Sequence, residues 1–353
     1  MFDWFLRIFS DPKQTASAPP ERQPAADTPP ARTRKFASDS VSTMQRDRID
    51  FMFASWLFEA EERSEIFTNP TEDAILAALD EVVKSDRAGA HLVRRMPGVI
   101  PQLLQSLRNP DFSGAEVSRN ISHDLVLVAE VLRLANSVGY SHGKSFTGVD
   151  HAVLVLGQNG LRQLVTSVAF KPIINLHSGS FTRRLAPRLW SQSERCAIAS
   201  HVLAQGGTVD PLDAFLAGLI QNIGLTVSLR VIDKMTEGRQ PVGSPTFCNA
   251  LASHGRTLAC NISREWHFPD AVTTAIGEQE TNARPSQLST VGRLLSMGDY
   301  LSKIDILVRH GRIDADDPEV LDGLSEKELA CLKELAELEE RDWVALASTG
   351  SRT

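Results

Sequence analysis

The sequence predicts an all-α fold of many helices joined by short turns, and three observations carry that prediction. Apolar residues recur three and four positions apart, as in Ile49, Phe53, Trp56 and Leu57, and again in Ile75, Leu76, Leu79, Val82 and Val83. That spacing lines one face of a helix. Helix-start chemistry recurs too: Asn69-Pro70-Thr71-Glu72, Ser113-Gly114-Ala115-Glu116, Ser244-Pro245 and Ser325-Glu326-Lys327-Glu328. In each, a side-chain oxygen caps free backbone N–H groups, a proline or small residue follows, or a glutamate reaches back. Strict apolar–polar alternation between hairpin turns, the mark of a half-buried strand, is hard to find.

The elements follow in order. In residues 1–10, Phe2, Phe5 and Phe9 fall at helical spacing beside Trp4, Leu6 and Ile8. Nine residues cannot cross a membrane. Two readings stay open for Met1–Phe9: a short helix docking on a partner or a membrane surface, or an end that folds back on the body. Residues 11–43 read as a disordered linker, because six of the 18 prolines fall there among Ala, Ser, Thr and Gln. Such a stretch buries too little apolar surface to offset its ordering entropy. Residues 44–310 form the helical body. Residues 311–353 are an acidic helix and tail, with twelve Asp and Glu against Lys327, Lys333 and Arg341 between Asp314 and Asp342. There Leu329, Leu332, Leu335 and Leu338 make a narrow stripe, and Leu324 with Leu329 offers a hydrophobic staple. The stripe suits a final helix packed on the body or one docking on a basic partner surface.

Composition sets limits on function. A net charge of −7 argues against a general nucleic-acid binder. Four cysteines (196, 248, 260 and 331) lie far apart with no CxxC pair, which points to reduced thiols in a cytoplasm rather than disulfides or a zinc ribbon.

The chain is organised around Pro211–Arg230, PLDAFLAGLIQNIGLTVSLR. A helix apolar on nearly every side belongs in a core; at this length, and with polar interruptions, it does not span a bilayer. Yet Gln221 and Asn222 sit in its middle, and an unpartnered buried amide costs roughly 1–3 kcal/mol.

The segment GLIQNIG resembles the GLLHDIG of HD-type metal phosphohydrolases, with amides where the metal-binding His and Asp would stand. Further pieces, in order, resemble the HDOD family, the HD-related output domain of bacterial signalling proteins. They are Met96-Pro97-Gly98-Val99-Ile100-Pro101, LVAEVLRLANSVGYSHGK with Asn136 and Ser137, HAVLVLGQNGLRQLV, Trp190 with Ser193, and REWHFPDAV. The likeness runs from about Thr71 to Ile304. It implies a multi-helix HDOD/HD-like bundle over 44–310, preceded by the linker.

Placed on the HD pattern, the early His position falls at Gln192, the His-Asp pair at Gln221 and Asn222, and the next His at Gly255. His254 is one residue off, about 100° around a helix. An adjacent His-His falls at Gln279 and Glu280, and the last Asp at Asp299. Amides in place of imidazole and carboxylate leave too few ligands for Zn, Mn or Mg, and without the metal hydrolysis has no activated water. We therefore expect no catalytic residues, no metal and no cofactor. The family's Asp-Pro is here Asp124-Leu125, and the His123-Asp124 pair that results reads as a helix start.

The nine histidines form no HxxxH, HxH or HExxH pattern, and no GxSxG, P-loop or GxGxxG fingerprint occurs. Gly157-Gln158-Asn159-Gly160 is a turn rather than a phosphate cradle. Arg94-Arg95 and Arg183-Arg184 with Arg188 read first as solvated faces, and as anion sites second. The amide-and-acid set has two readings: a polar plug bonded to itself, or a pocket for a small nucleotide ligand. The resemblance implies a non-catalytic, cytoplasmic bacterial regulator that binds signalling proteins (a kinase, response regulator or cyclic-dinucleotide enzyme) and no nucleic acid. The alternatives are a degenerate phosphohydrolase using Asp299, Glu280 and His254, and a nucleotide sensor without turnover.

Overall fold

The computed structural model describes residues 41–60, 66–84, 166–167, 170, 179–236, 242–280 and 285–338. The expectations for Met1–Phe9, residues 11–40, the Met96–Pro101 turn, Ser113, His123-Asp124, Asn136-Ser137, Gly157–Gly160, Arg94-Arg95, Trp343 and Leu346 lie outside them. Among the described residues all regular structure is helical.

Helix α1 (Thr43–Phe58) starts where Ser42 and Gln45 form a reciprocal capping box. Val41 is already buried, so residues 41–43 belong to the body rather than to the linker. Ile49, Phe53, Trp56 and Leu57 are all buried, as their spacing requires. The helix ends at Glu59, whose φ of 53° is left-handed. Arg188 donates there to the Trp56 and Leu57 carbonyls, and pairs with Glu59 at 2.7 Å. Arg184 joins Glu59 at 3.6 Å. Arg184 and Arg188 thus complete a helix C-terminus, while Arg183 and Arg184 stay exposed, as a solvated face requires.

Helix α2 (Pro70–Lys84) is capped by Asn69, whose Oδ1 accepts from the Thr71 and Glu72 amides at 3.0 Å. Helix α3 (Ser180–Ala204) is the central strut and packs on the helices that follow. The organising stretch is two helices rather than one, α4 (Pro211–Ile220) and α5 (Ile223–Thr236). The ladder breaks at Gln221 and Asn222, whose side chains turn toward Asp299 and toward Gln192 of α3. Pro211–Thr236 is long and apolar enough to cross a membrane, but 83% of its most apolar window is buried inside the fold. It is therefore a core element.

Helix α6 (Pro245–Glu265) starts at Ser244, whose Oγ accepts from the Phe247 amide. Helix α7 (Asp270–Glu278), a 3₁₀ turn at Pro285–Gln287 and α8 (Thr290–Arg309) follow, then α9 (Pro318–Leu321) and α10 (Glu326–Ala336). Helix α3 packs on α8, α4 and α5; α6 packs on α5, α7 and α2; α1 lies on α8. Two glycines permit close crossings. A Cβ on Gly224 would stand 1.9 Å from the Gly255 carbonyl oxygen, and one on Gly298 would stand 2.3 Å from Ser200 Oγ.

One apolar core runs from Val41 to Leu335 and includes Ile313, Val320 and Cys331. The last helix therefore packs on the body. Its buried residues are Cys331 and Leu335, with Leu332 and Leu338 at the margin. Lys327 donates to the Leu203 and Gln205 carbonyls at the end of α3, and Arg309 donates to the Leu335 and Ala336 carbonyls at the end of α10. All four cysteines are buried free thiols.

Candidate functional site

Helices α3 and α8 and the α4–α5 turn bring four of the seven singled-out residues together. Gln192 projects from the middle of α3 and donates to Asp299 Oδ1 at 2.8 Å and to Ser302 Oγ at 2.9 Å. Gln221 donates to the same Asp299 oxygen at 3.2 Å. Asn222 donates to Gln192 Oε1, and to Ser193 Oγ at 3.0 Å. A side chain one residue after another on α3 thus takes the second amide proton. The two amides of the otherwise oily segment are partnered with Gln192 and Ser193 of α3 and with the Asp299 carboxylate.

Three singled-out residues do not join them. His254 bonds to the Ala250 carbonyl and to Asp80 of α2, both at 2.7 Å. Gln279 donates to the Ala275 and Gly292 carbonyls. Glu280 is exposed just after α7. The reason is angular for His254: the inward position next to it is Gly255, and any side chain there would strike Leu225. The position that the HD resemblance assigns to a ligand is here a close helix crossing.

Two charged residues that sequence reasoning missed complete the cluster. Lys303, only 9% exposed, places Nζ 2.5 Å from Asp299 Oδ2 and 2.6 Å from Asp50 Oδ1. Arg256 flanks Asp50 at 3.9 Å. Asp299 and Lys303 are one helical turn apart, a spacing visible in SMGDYLSK. Nothing in the chain marks Asp50, which reaches the site only because α1 lies across α8. A second ionic tie runs alongside: Asp305 accepts from Arg195 at 2.7 Å and from Arg309 at 2.9 Å.

Burial opposes ionisation of Lys303, but Asp299 and Asp50 outweigh it and its pKa rises. Burial likewise pushes Asp50 up, but the Lys303 charge and hydrogen bond, with Arg256 and Arg46, bring it below the ordinary range. Elsewhere burial depresses His201 against the Pro211 carbonyl and Asp210. These directions predict a pH profile. His201 and Asp50 have folded pKa values below their unfolded ones, so the stability they add is present above the unfolded values. It is lost as pH falls, first through His201 and then through Asp50. Lys303 is raised, so its contribution holds below its unfolded pKa and fades only as strong alkali titrates it. Urea unfolding midpoints measured across pH should therefore be flat near neutrality, decline below about 6.5 and fall steeply below about 4. A midpoint that rises between pH 6 and 4 would contradict this assignment.

The HD pattern implies a divalent metal here, and the donor set does not fit one. The centre offers amides, hydroxyls and two carboxylates, Asp299 and Asp50, that already share an ammonium, where such a metal needs several free imidazole or carboxylate ligands. Among the described residues no three His, Cys, Asp or Glu side chains are grouped to hold an ion.

Comparison with known proteins adds to the geometry. The HDOD domain model matches residues 93–282, more than half of the chain. A protein of Treponema pallidum described only as uncharacterized is 24% identical over 193 residues, and the match spans 52% of this chain and 37% of that relative. The chain thus spans well under half the length of this curated relative. Among solved structures, a protein of Shewanella amazonensis provisionally named a metal-dependent phosphohydrolase has a TM-score of 0.52 at 19% identity. The match covers 76% of this chain and 99% of that one. A protein of Marinobacter aquaeolei provisionally named a signal transduction protein has a TM-score of 0.51 at 21% identity, covering 84% and 64%. At these identities the likeness is one of fold.

Proposed function

The chain belongs to the HDOD domain family, and from that premise we propose a non-catalytic signal-transduction protein that works by binding other proteins in the bacterial cytoplasm. One observation carries this reading: Gln192, Gln221, Asn222 and Asp299 bond to one another, to Ser193 and Ser302, and to Lys303. A hydrolytic centre must leave ligand positions open for an ion, a water and a phosphate. This one is a closed network whose members hold α3, α8 and the α4–α5 turn in register, which is what a rigid recognition body needs. The signalling name of the Marinobacter relative accords with the reading, and the phosphohydrolase name of the Shewanella relative sets its rival.

The partners in this proposal are signalling proteins such as a kinase, a response regulator or a cyclic-dinucleotide enzyme. Met1–Phe9 on its linker is the proposed docking segment. Pull-downs from cells with and without residues 1–10 test that part, and an unchanged set of captured proteins would refute it.

The catalytic rival is tested separately. Protein purified from medium rich in Mn, Fe and Zn is expected to carry well under one ion per chain. It should also turn over neither phosphodiesters nor nucleotides above the metal-only rate. Stoichiometric metal, or metal-dependent turnover abolished by Asp299→Ala, would overturn the non-catalytic reading. Gln221 is only partly buried, so a nucleotide bound without turnover is the remaining alternative. Ligand at 100 times its dissociation constant would add about 2.7 kcal/mol. A thermal shift with a cyclic dinucleotide or guanosine tetraphosphate would favour that alternative.

A further inference from the structure

The mismatch between the HD pattern and this donor set has a specific content. We propose that Lys303 is the resident cation of the centre: its ammonium takes the place that an ion would hold between Asp299 and Asp50, and so bolts α1 onto the helical body. The inference concerns the architecture of the centre and stands apart from whether the protein binds partners.

The geometry supports a built cation position. Asp299 Oδ1 is held by Gln192 and Gln221, at 2.8 and 3.2 Å. That leaves its Oδ2 aimed at Lys303 Nζ, 2.5 Å away. Asp50 Oδ1 meets the same nitrogen from α1 at 2.6 Å. Both separations fall in the roughly 2.3–2.6 Å range of calcium–oxygen bonds and exceed the roughly 2.0–2.1 Å of magnesium. A calcium-sized ion at the position of Nζ would therefore touch both carboxylates without moving them. The face of Phe53 lies 5.7 Å from Nζ, a further contact that suits a cation. The charges around the position are Asp299 on α8, Asp50 and Arg46 on α1, and Arg256 on α6. Without the lysine the two carboxylates would keep only Arg256, 3.9 Å from Asp50, and Arg46 to offset their charge.

The bolt also lies outside the family match. Asp50, Asp299 and Lys303 fall before or after residues 93–282. Helix α1 lies ahead of the matched residues, so the ammonium joins it to the amide cluster.

The test uses the full chain and its Lys303→Ala variant in thermal melts. The melts are run without added cation and with millimolar calcium, magnesium or methylammonium, against choline at matched ionic strength. The variant is expected to melt roughly 5 °C below the wild type. Calcium or methylammonium should recover about half of that loss or more, magnesium less and choline none, and the wild type should respond to none of them. Amide exchange in residues 43–58 should quicken in the variant and slow again with the rescuing ion. Recovery by no cation, or an equal rise in the wild type, would overturn the proposal. If Lys303→Ala does not fold, Asp50→Asn decides: exchange in residues 43–58 should quicken while that in α3 and α5 is unchanged. Unchanged exchange throughout would refute the bolt.

Discussion

Replacing Glu72 with alanine is expected to lower the unfolding free energy by about 3–5 kcal/mol, measured by urea denaturation. The glutamate is the third helical residue of an Asn69 capping box, and its Oε2 accepts from the Asn69 amide at 3.0 Å. It does more than cap. Its carboxylate also accepts from the Gly243 amide at 2.7 Å, the Ser244 amide at 2.9 Å and Ser244 Oγ at 2.7 Å. The residue is 0% exposed. One carboxylate thus serves the N-termini of both α2 and α6, each of which carries the positive end of a helix dipole. Alanine would strand several buried donors at once, and each stranded donor costs about 1–3 kcal/mol. Burial raises the Glu72 pKa, but these hydrogen bonds outweigh it and hold the group below its ordinary value. Its contribution is therefore complete above the unfolded pKa and lost as pH falls through the folded one, so the penalty of Glu72→Ala should shrink in acid. A loss under about 1 kcal/mol at neutral pH would reduce Glu72 to an ordinary cap.

Gly224→Ala is expected to cost about 3 kcal/mol or more, at or above the upper end of overpacking penalties. The new Cβ would lie 1.9 Å from the Gly255 carbonyl oxygen and 2.7 Å from the Ala259 amide nitrogen. Both are backbone atoms and cannot rotate aside, so the α5 and α6 axes must separate. The roughly 1 kcal/mol by which alanine favours a helix over glycine does not compensate. Because Gly224 lies two residues beyond Asn222, the separation should also loosen the Asn222 bonds to Gln192 and Ser193. Thermal and urea unfolding of the variant would check both claims. Stability equal to or above the wild type would mean that the crossing yields easily and that the glycines do not set it.

The helix starts were legible because capping is local. Ser42 is the instructive exception: it caps α1 three residues before Gln45, yet the chain before it is so rich in proline and alanine that the reading of the sequence starts the body at residue 44, three residues after Val41. The last helix was half legible: its leucine spacing named Leu335, which is fully buried, but Leu329 and Leu332 of the same stripe are only partly covered, because that depends on how α10 tilts against α3. The break at Gln221 and Asn222 was half legible: the amides were conspicuous in an apolar run, while the turn they make is set by partners on α3 and α8.

By itself the sequence determined the all-α class, the caps at Asn69, Ser244 and Ser325, and the place of two amides, Gln221 and Asn222, inside an apolar run. Each of these depends on residue identity or on neighbours within about one helical turn. Only the tertiary structure decided that Asp299 joins those amides while His254, Gln279 and Glu280 do not, and that Lys303 and Asp50 complete the centre. Those choices depend on the angle and closeness at which helices distant in the chain cross. A glycine at 224 or 255 changes that closeness by ångströms, and hydrogen bonds and ion pairs survive only over such short distances.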